Sequence, residues 1–410
     1  MIANHTGLRI QPSYLLTMVV VSALLVFAFP KATMAQNEEF ASGNSWVVDQ
    51  IKAGSAWSQT KGNDVTVAVL DTGIMEHPFF EGKDVLPGHD VSGASEDGTA
   101  YSPVADHGTQ VAGGVLAIAP DATIMPVLVW NSLSEDNEIS ANPQREADAI
   151  RYAVDNGADI INFSITGSPS EVVTEALQYA IDKGVVVVAG AGNDPGSEVG
   201  APANVAGVVA VAGAGKDGRP WKDSTVGPEI AVAAPAADRT CLVGQPQEEV
   251  SWAPDSSKSD ELYEDCEGTS LAAANVSGVA ALVKAANPKL TGNDIVQRLI
   301  STASGDGTRD SELGYGIVDA EAAVNSDISG IEENPLGYPL GGPGESGSNA
   351  PEGSAEEGKQ DEQASADAED ANSFATSFLP WAFGGVVLLA VAAVVIVVVV
   401  RKRTQSTGLL

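Results

Sequence analysis

The sequence predicts an α/β fold whose central sheet is mostly parallel and flanked by helices. Three observations lead there. Between residues 64 and 330 short apolar runs alternate with amphipathic stretches; the runs are apolar on both faces; and the intervening segments are long enough for helical crossovers. "VTVAVL" (65–70) and "ATIMPVLVW" (122–130) are runs of this kind. "QREADAIRYAVDNG" (144–157) sets Ala147, Ile150, Ala153 and Val154 at helical spacing before an Asn-Gly stop. "ADIINFSI" (158–165) is the next strand. "SPSEVVTEALQYAIDKG" (168–184) reads as a helix capped by Ser168, with Pro169 in its first turn, Glu171 completing a capping box and Gly184 ending it. "VVVVAGAG" (185–192) and "VVAVAGAG" (208–215) supply two more strands. In such sheets functional groups gather beyond the carboxyl ends of the strands, where Asp71 and Asn193 stand.

Two apolar runs flank this part. Residues 14–30, "YLLTMVVVSALLVFAFP", follow Arg9 and precede small residues suited to cleavage after Ala35. They read as a signal peptide, residues 1–35, with an uncleaved anchor as the alternative. "WAFGGVVLLAVAAVVIVVVV" (381–400) has no charged residue, spans a bilayer core as a helix, and is followed by Arg401, Lys402 and Arg403. It reads as a transmembrane helix over 380–400 with a cytoplasmic basic tail over 401–410, so residues 36–379 are expected outside the cell. Residues 331–379 hold a tract rich in Gly, Pro, Ser, Ala and acids, which cannot bury enough surface to fold and reads as a disordered spacer.

Of the 410 residues, 55 are acidic and 21 are Lys or Arg, a formal net charge of −34 that argues against a nucleic-acid partner. The two cysteines, Cys241 and Cys266, are an even count in an exported chain and suggest a disulfide, a catalytic thiol being the alternative. No ligand spacing resembles an EF-hand loop, and the "AGAG" stretches lack the spacing of a nucleotide loop, so neither metal nor cofactor is expected.

The chemistry-bearing residues lie in three segments. "VAVLDTGI" supplies Asp71, "DHGTQVAGGV" supplies His107, and "EGTSLAAANVSGVAALV" supplies Ser270 at a helix start. Asp-Thr-Gly after a strand also occurs in paired-carboxylate sites, but those need a second copy or a dimer of a small domain, and no second copy is present. The other reading is an activated serine. A serine hydroxyl attacks only when a base takes its proton; neutral imidazole suits that task, and a buried carboxylate fixes its tautomer. The dipole and N–H at the start of the Ser270 helix favour a developing oxyanion, and Asn193 is the candidate second donor, a turn residue being the alternative. Ser164 and its strand are assigned to pairing with a substrate backbone, a purely structural strand being the other reading. His77 and His89 sit in turn-rich surroundings and are expected to be structural or exposed.

In their order, "VLDTGI", "HGTQVAG", "INFSITG", "VVVVAGAGND", "AVAAPA" and "GTSLAAANVSGVAALV" resemble the subtilisin-like serine proteases. The resemblance implies a subtilisin-like three-layer fold over residues 64–330, peptide-bond hydrolysis, the triad Asp71, His107 and Ser270, an oxyanion hole of Asn193 and Ser270, and substrate contacts from Ser164, Ile165, Thr166, Gly190 and Ala191. Among these proteases the chain is most similar to the mycosins, membrane-anchored enzymes of type VII secretion. The shared features are the signal peptide, "WVVDQIKAGSAWSQTKG" (46–62) leading into the aspartate strand, the spacer, and the single membrane helix with its basic tail; residues 36–63 are expected to pack on the protease domain. This implies polypeptide substrates and a secretion membrane complex as partner. A general envelope protease and a mainly structural component of such a complex are the alternatives. Three positions depart from the usual motifs: Ala274 replaces a proline, Gln110 a histidine, and Thr166 a glycine of the substrate-binding strand.

Overall fold

The computed structural model describes residues 37–95, 97–102, 105–130, 142–167, 170–244 and 262–337. The signal peptide, the membrane helix, the basic tail and all of the spacer beyond residue 337 lie outside the described residues. Seven strands form the central sheet: β1 Thr66–Asp71, β2 His89–Asp90, β3 Thr123–Leu128, β4 Ile160–Phe163, β5 Val186–Gly190, β6 Val209–Ala214 and β7 Ile230–Pro235. Their order is β2-β3-β1-β4-β5-β6-β7, and every pairing is parallel. The interior strands are buried along nearly their whole length, as strands covered by helices on both faces must be. The order changes direction around β1, so Asp71, paired with Leu128 of β3, emerges at the crevice where such sheets place their sites.

The helices Asp106–Ile118 and Thr269–Ala286 pack on each other, and the latter also crosses β4, β5, β6 and β7. The helices Pro143–Asp155 and Glu171–Asp182 form a second packed pair. Thr269–Ala286 is the one helix among the described residues long and apolar enough to cross a membrane; 83% of that window is buried, which makes it the central helix of the domain. The helix expected from Ser168 begins instead at Glu171 and is capped by Ser170, without a side-chain bond. Gly167 N–H donates to Ala201 O at 2.7 Å, which holds the chain extended just before the expected cap.

Both flanks of the domain are built in. Val47, Ile51, Ala53 and Ala56 of the 36–63 segment are buried, Asn44 Nδ2 donates to Thr240 O at 2.8 Å, and Trp46 Nε1 to Asp238 O at 3.1 Å. Past residue 330 the chain stays packed: Ile331 N donates to Asp294 Oδ1 at 2.9 Å, and buried Asn334 donates to Gly207 O at 3.1 Å. The folded part therefore runs on into the stretch that composition alone assigned to the spacer. Strands β8 (Arg239–Leu242) and β9 (Tyr263–Cys266) form an antiparallel hairpin closed by the Cys241–Cys266 disulfide, with Cα atoms 5.9 Å apart.

Candidate active site

Asp71 is the last residue of β1 and is wholly buried. Its Oδ1 accepts from the Thr72 N–H at 2.7 Å, and both carboxyl oxygens lie within hydrogen-bond reach of His107 Nδ1, at 2.8 and 2.9 Å. His107 is the second residue of the helix Asp106–Ile118. That helix start is drawn against the end of β1 so closely that a β-carbon at Gly108 would overlap the Gly73 carbonyl, and Gly108 N donates to Thr72 Oγ1 at 3.1 Å. The Thr-Gly of "DTG" thus does more than turn the chain: it docks the histidine helix.

Ser270 is the second residue of its helix, with Oγ 3.0 Å from His107 Nε2. A carboxylate facing Nδ1 keeps the proton on that nitrogen, leaving Nε2 as acceptor for the serine proton. Burial disfavours the charged imidazole, but the Asp71 charge and hydrogen bond outweigh it, and the His107 pKa stands above its ordinary 6.5. The ring is still 39% exposed, so a peptide can reach it.

Ser270 is buttressed from behind. Its Oγ lies 3.0 Å from Ser164 O, while Ser164 Oγ donates to Ser270 O at 3.1 Å and accepts from Asn162 Nδ2 at 2.7 Å. Asn162 Oδ1 in turn accepts from Ser277 Oγ at 3.0 Å. Asn162 and Ser277 are fully buried, and sequence reasoning missed both. Their signal was a lone polar residue within an apolar strand, "IINF", and Ser277 amid the small and apolar residues "VSGVAALV", since a buried polar side chain needs a partner.

The remaining expected residues lie around this core. Asn193 Oδ1 accepts from both the N–H and the Oγ1 of Thr269, each at 2.9 Å, which leaves its Nδ2 donors without a partner among the described residues, next door to Ser270. Gly190 allows the serine helix its approach, because a β-carbon there would sit 3.1 Å from the Thr269 backbone. Ala191 is buried, and its N–H is bonded to Val211 O. Ser164 turns its side chain inward, Ile165 is half-buried, and Thr166 is exposed, with its methyl close against Gly200. His77 is buried away from the triad, accepting from Phe79 N at Nδ1 and bonding Leu262 O through Nε2, and His89 stacks on Tyr152. No cluster of three or more metal-ligating side chains occurs among the described residues.

Residues 62–316 match the peptidase family described as the subtilase family. M-protease of Shouchella clausii (strain KSM-K16) is 31% identical over 304 residues, which are 71% of this chain and 72% of that protein. Among solved structures, MycP1 from the ESX-1 type VII secretion system superimposes with a TM-score of 0.57 at 26% identity, covering 71% of this chain and 88% of that one. MycP1 from Mycobacterium smegmatis gives a TM-score of 0.56 at 26% identity, with coverage of 72% and 88%.

Proposed function

Because the chain belongs to the subtilase family, we propose that it is a serine endopeptidase anchored in the cell membrane, with its catalytic domain outside, cutting exported or envelope polypeptides beside a type VII secretion membrane complex. The observation that carries the enzymatic part is the unbroken hydrogen-bonded series Asp71–His107–Ser270 at the carboxyl edge of the sheet. In this reading His107 Nε2 takes the Ser270 proton as Oγ attacks the scissile carbonyl, and Asp71 holds the imidazolium that forms. The Ser270 N–H and Asn193 Nδ2 receive the oxyanion; loss of one such donor lowers kcat by about 10²–10³. His107 then protonates the leaving amine, and water, deprotonated by the same nitrogen, releases the acyl group.

Anchoring and orientation rest on the uncharged run 381–400 with its basic flank, and the secretion partner on the likeness to MycP1. A fluorophosphonate probe applied to the full-length chain should label it and leave Ser270→Ala unlabelled; an unlabelled wild-type chain would end the enzyme reading. A strain lacking the protein, rescued for secretion by wild type but not by Ser270→Ala, supports catalysis in the secretion role. Rescue by both would assign that role to the fold itself.

A further inference from the structure

The helix Pro143–Asp155 buries a face of small and apolar residues, Ala147, Ala149, Ile150 and Ala153, and Glu146 interrupts it. Glu146 is 3% exposed, and among the described residues its Oε1, shut off from solvent, has no hydrogen-bond partner and no cation pairs with it. Arg151, on the same helix, sits over the Tyr179 ring instead. Burial alone pushes the Glu146 carboxyl above its usual range. A β-carbon built on Gly167 would stand 3.4 Å from each Glu146 oxygen, so the carboxyl lies directly against the backbone there.

That position is close to the chemistry. The segment 164–167 begins at Ser164, whose carbonyl is 3.0 Å from Ser270 Oγ, and ends at Gly167. Three residues of extended chain span about 10 Å, so a peptide laid along this segment with its scissile bond at Ser270 brings its third residue or so from that bond over Gly167. With no side chain at 167, nothing of that residue's own stands between peptide and carboxyl. A buried carboxylate without a counter-ion is strongly unfavourable, and an alanine or isoleucine would fill the same layer without that penalty. Its placement makes sense as half of an ion pair whose cation arrives from outside.

We propose that Glu146 is a specificity residue that receives a lysine or arginine side chain of the substrate, about three residues from the scissile bond. The inference rests on the protease reading and extends it to a substrate class: polypeptides with a basic residue near the cleavage point. The test maps cleavage sites in a proteome-derived peptide library for the full-length chain, Glu146→Gln and Glu146→Leu. Wild type should enrich Lys and Arg over uncharged residues by about tenfold at one position two to four residues from the cut, the scale of one charge-assisted contact, and both variants should bring that ratio close to one. The ratio does not depend on how much of each preparation is folded. Absence of the enrichment in wild type overturns the proposal, as does its survival in Glu146→Gln, which keeps hydrogen bonding but not charge. A chain that reacts with fluorophosphonate yet lacks the preference defeats this inference alone, whereas a chain that neither reacts nor cuts defeats the protease reading with it.

Discussion

At Asp71 one carboxylate serves the Thr72 N–H and the His107 ring together. An amide in its place would present a donor to Nδ1 and favour the wrong imidazole tautomer, so Asp71→Asn should lower kcat by about 10⁴ with the fold intact, measured on a peptide substrate. The same variant reads the His107 pKa. Only neutral imidazole accepts the serine proton; because the aspartate raises that pKa, kcat/KM should rise with pH through a midpoint above 6.5. In Asp71→Asn only burial remains, and the midpoint should move down. The three proposed catalytic residues were legible because each sits in a short motif of small residues that permits close backbone approach. Asn162 and Ser277 were not, since a polar residue inside an apolar run declares a need for a partner without naming it. Glu146 was hidden more deeply, being one of several acids and cations on a helix whose buried face only the fold defines.

At the scale of elements, the distance between His107 and Ser270 is set by how closely their two helices pack. A β-carbon at Gly278 would stand 2.6 Å from Ile118 Cβ and 3.0 Å from Val115 O, and one at Gly114 would stand 2.9 Å from Ala274 Cβ. The Gly278 β-carbon would meet a Cβ and a backbone carbonyl, neither of which a change of rotamer can move aside, so Gly278→Ala must part the helices. It should destabilise the domain by about 1–3 kcal/mol in chemical denaturation and slow fluorophosphonate labelling of the fraction that remains folded. Five of the seven sheet strands were read from the sequence with small errors, because long apolar runs mark buried parallel strands; the two edge strands, β2 and β7, were not. The helix start near residue 170 was misplaced because the local Ser-Pro-Ser-Glu chemistry offers two caps. The bond from Gly167 to Ala201, a contact 34 residues away in sequence, decides between them.

Over the whole molecule, a mostly parallel sheet flanked by helices follows from the alternation of apolar runs, whereas the strand order, the helix pairs and the extent of packing at the two ends do not. Residues 331–337 look like spacer by composition, and it is residues distant in sequence, Asn293, Asp294 and Gly207, that claim them. The Cys241–Cys266 bridge, with its partners 25 residues apart, is a pairing an even cysteine count allows one to foresee. Replacing both cysteines by alanine should lower stability by about 3 kcal/mol, read by equilibrium unfolding of the oxidised wild type against the variant. The early segment that carries Val47 and Ile51 is joined to the last helix of the domain: Ala320 N donates to Ile51 O at 2.8 Å, Lys52 pairs with Asp319, and Gln59 donates to Asn325 at 2.7 Å. The seven sheet strands end at Pro235, but the clasp between the first and last segments can form only once residues near 325 have been synthesised. Such a domain is closed by its two sequence ends together, and its last helix docks only where the segment around residue 51 is already in place.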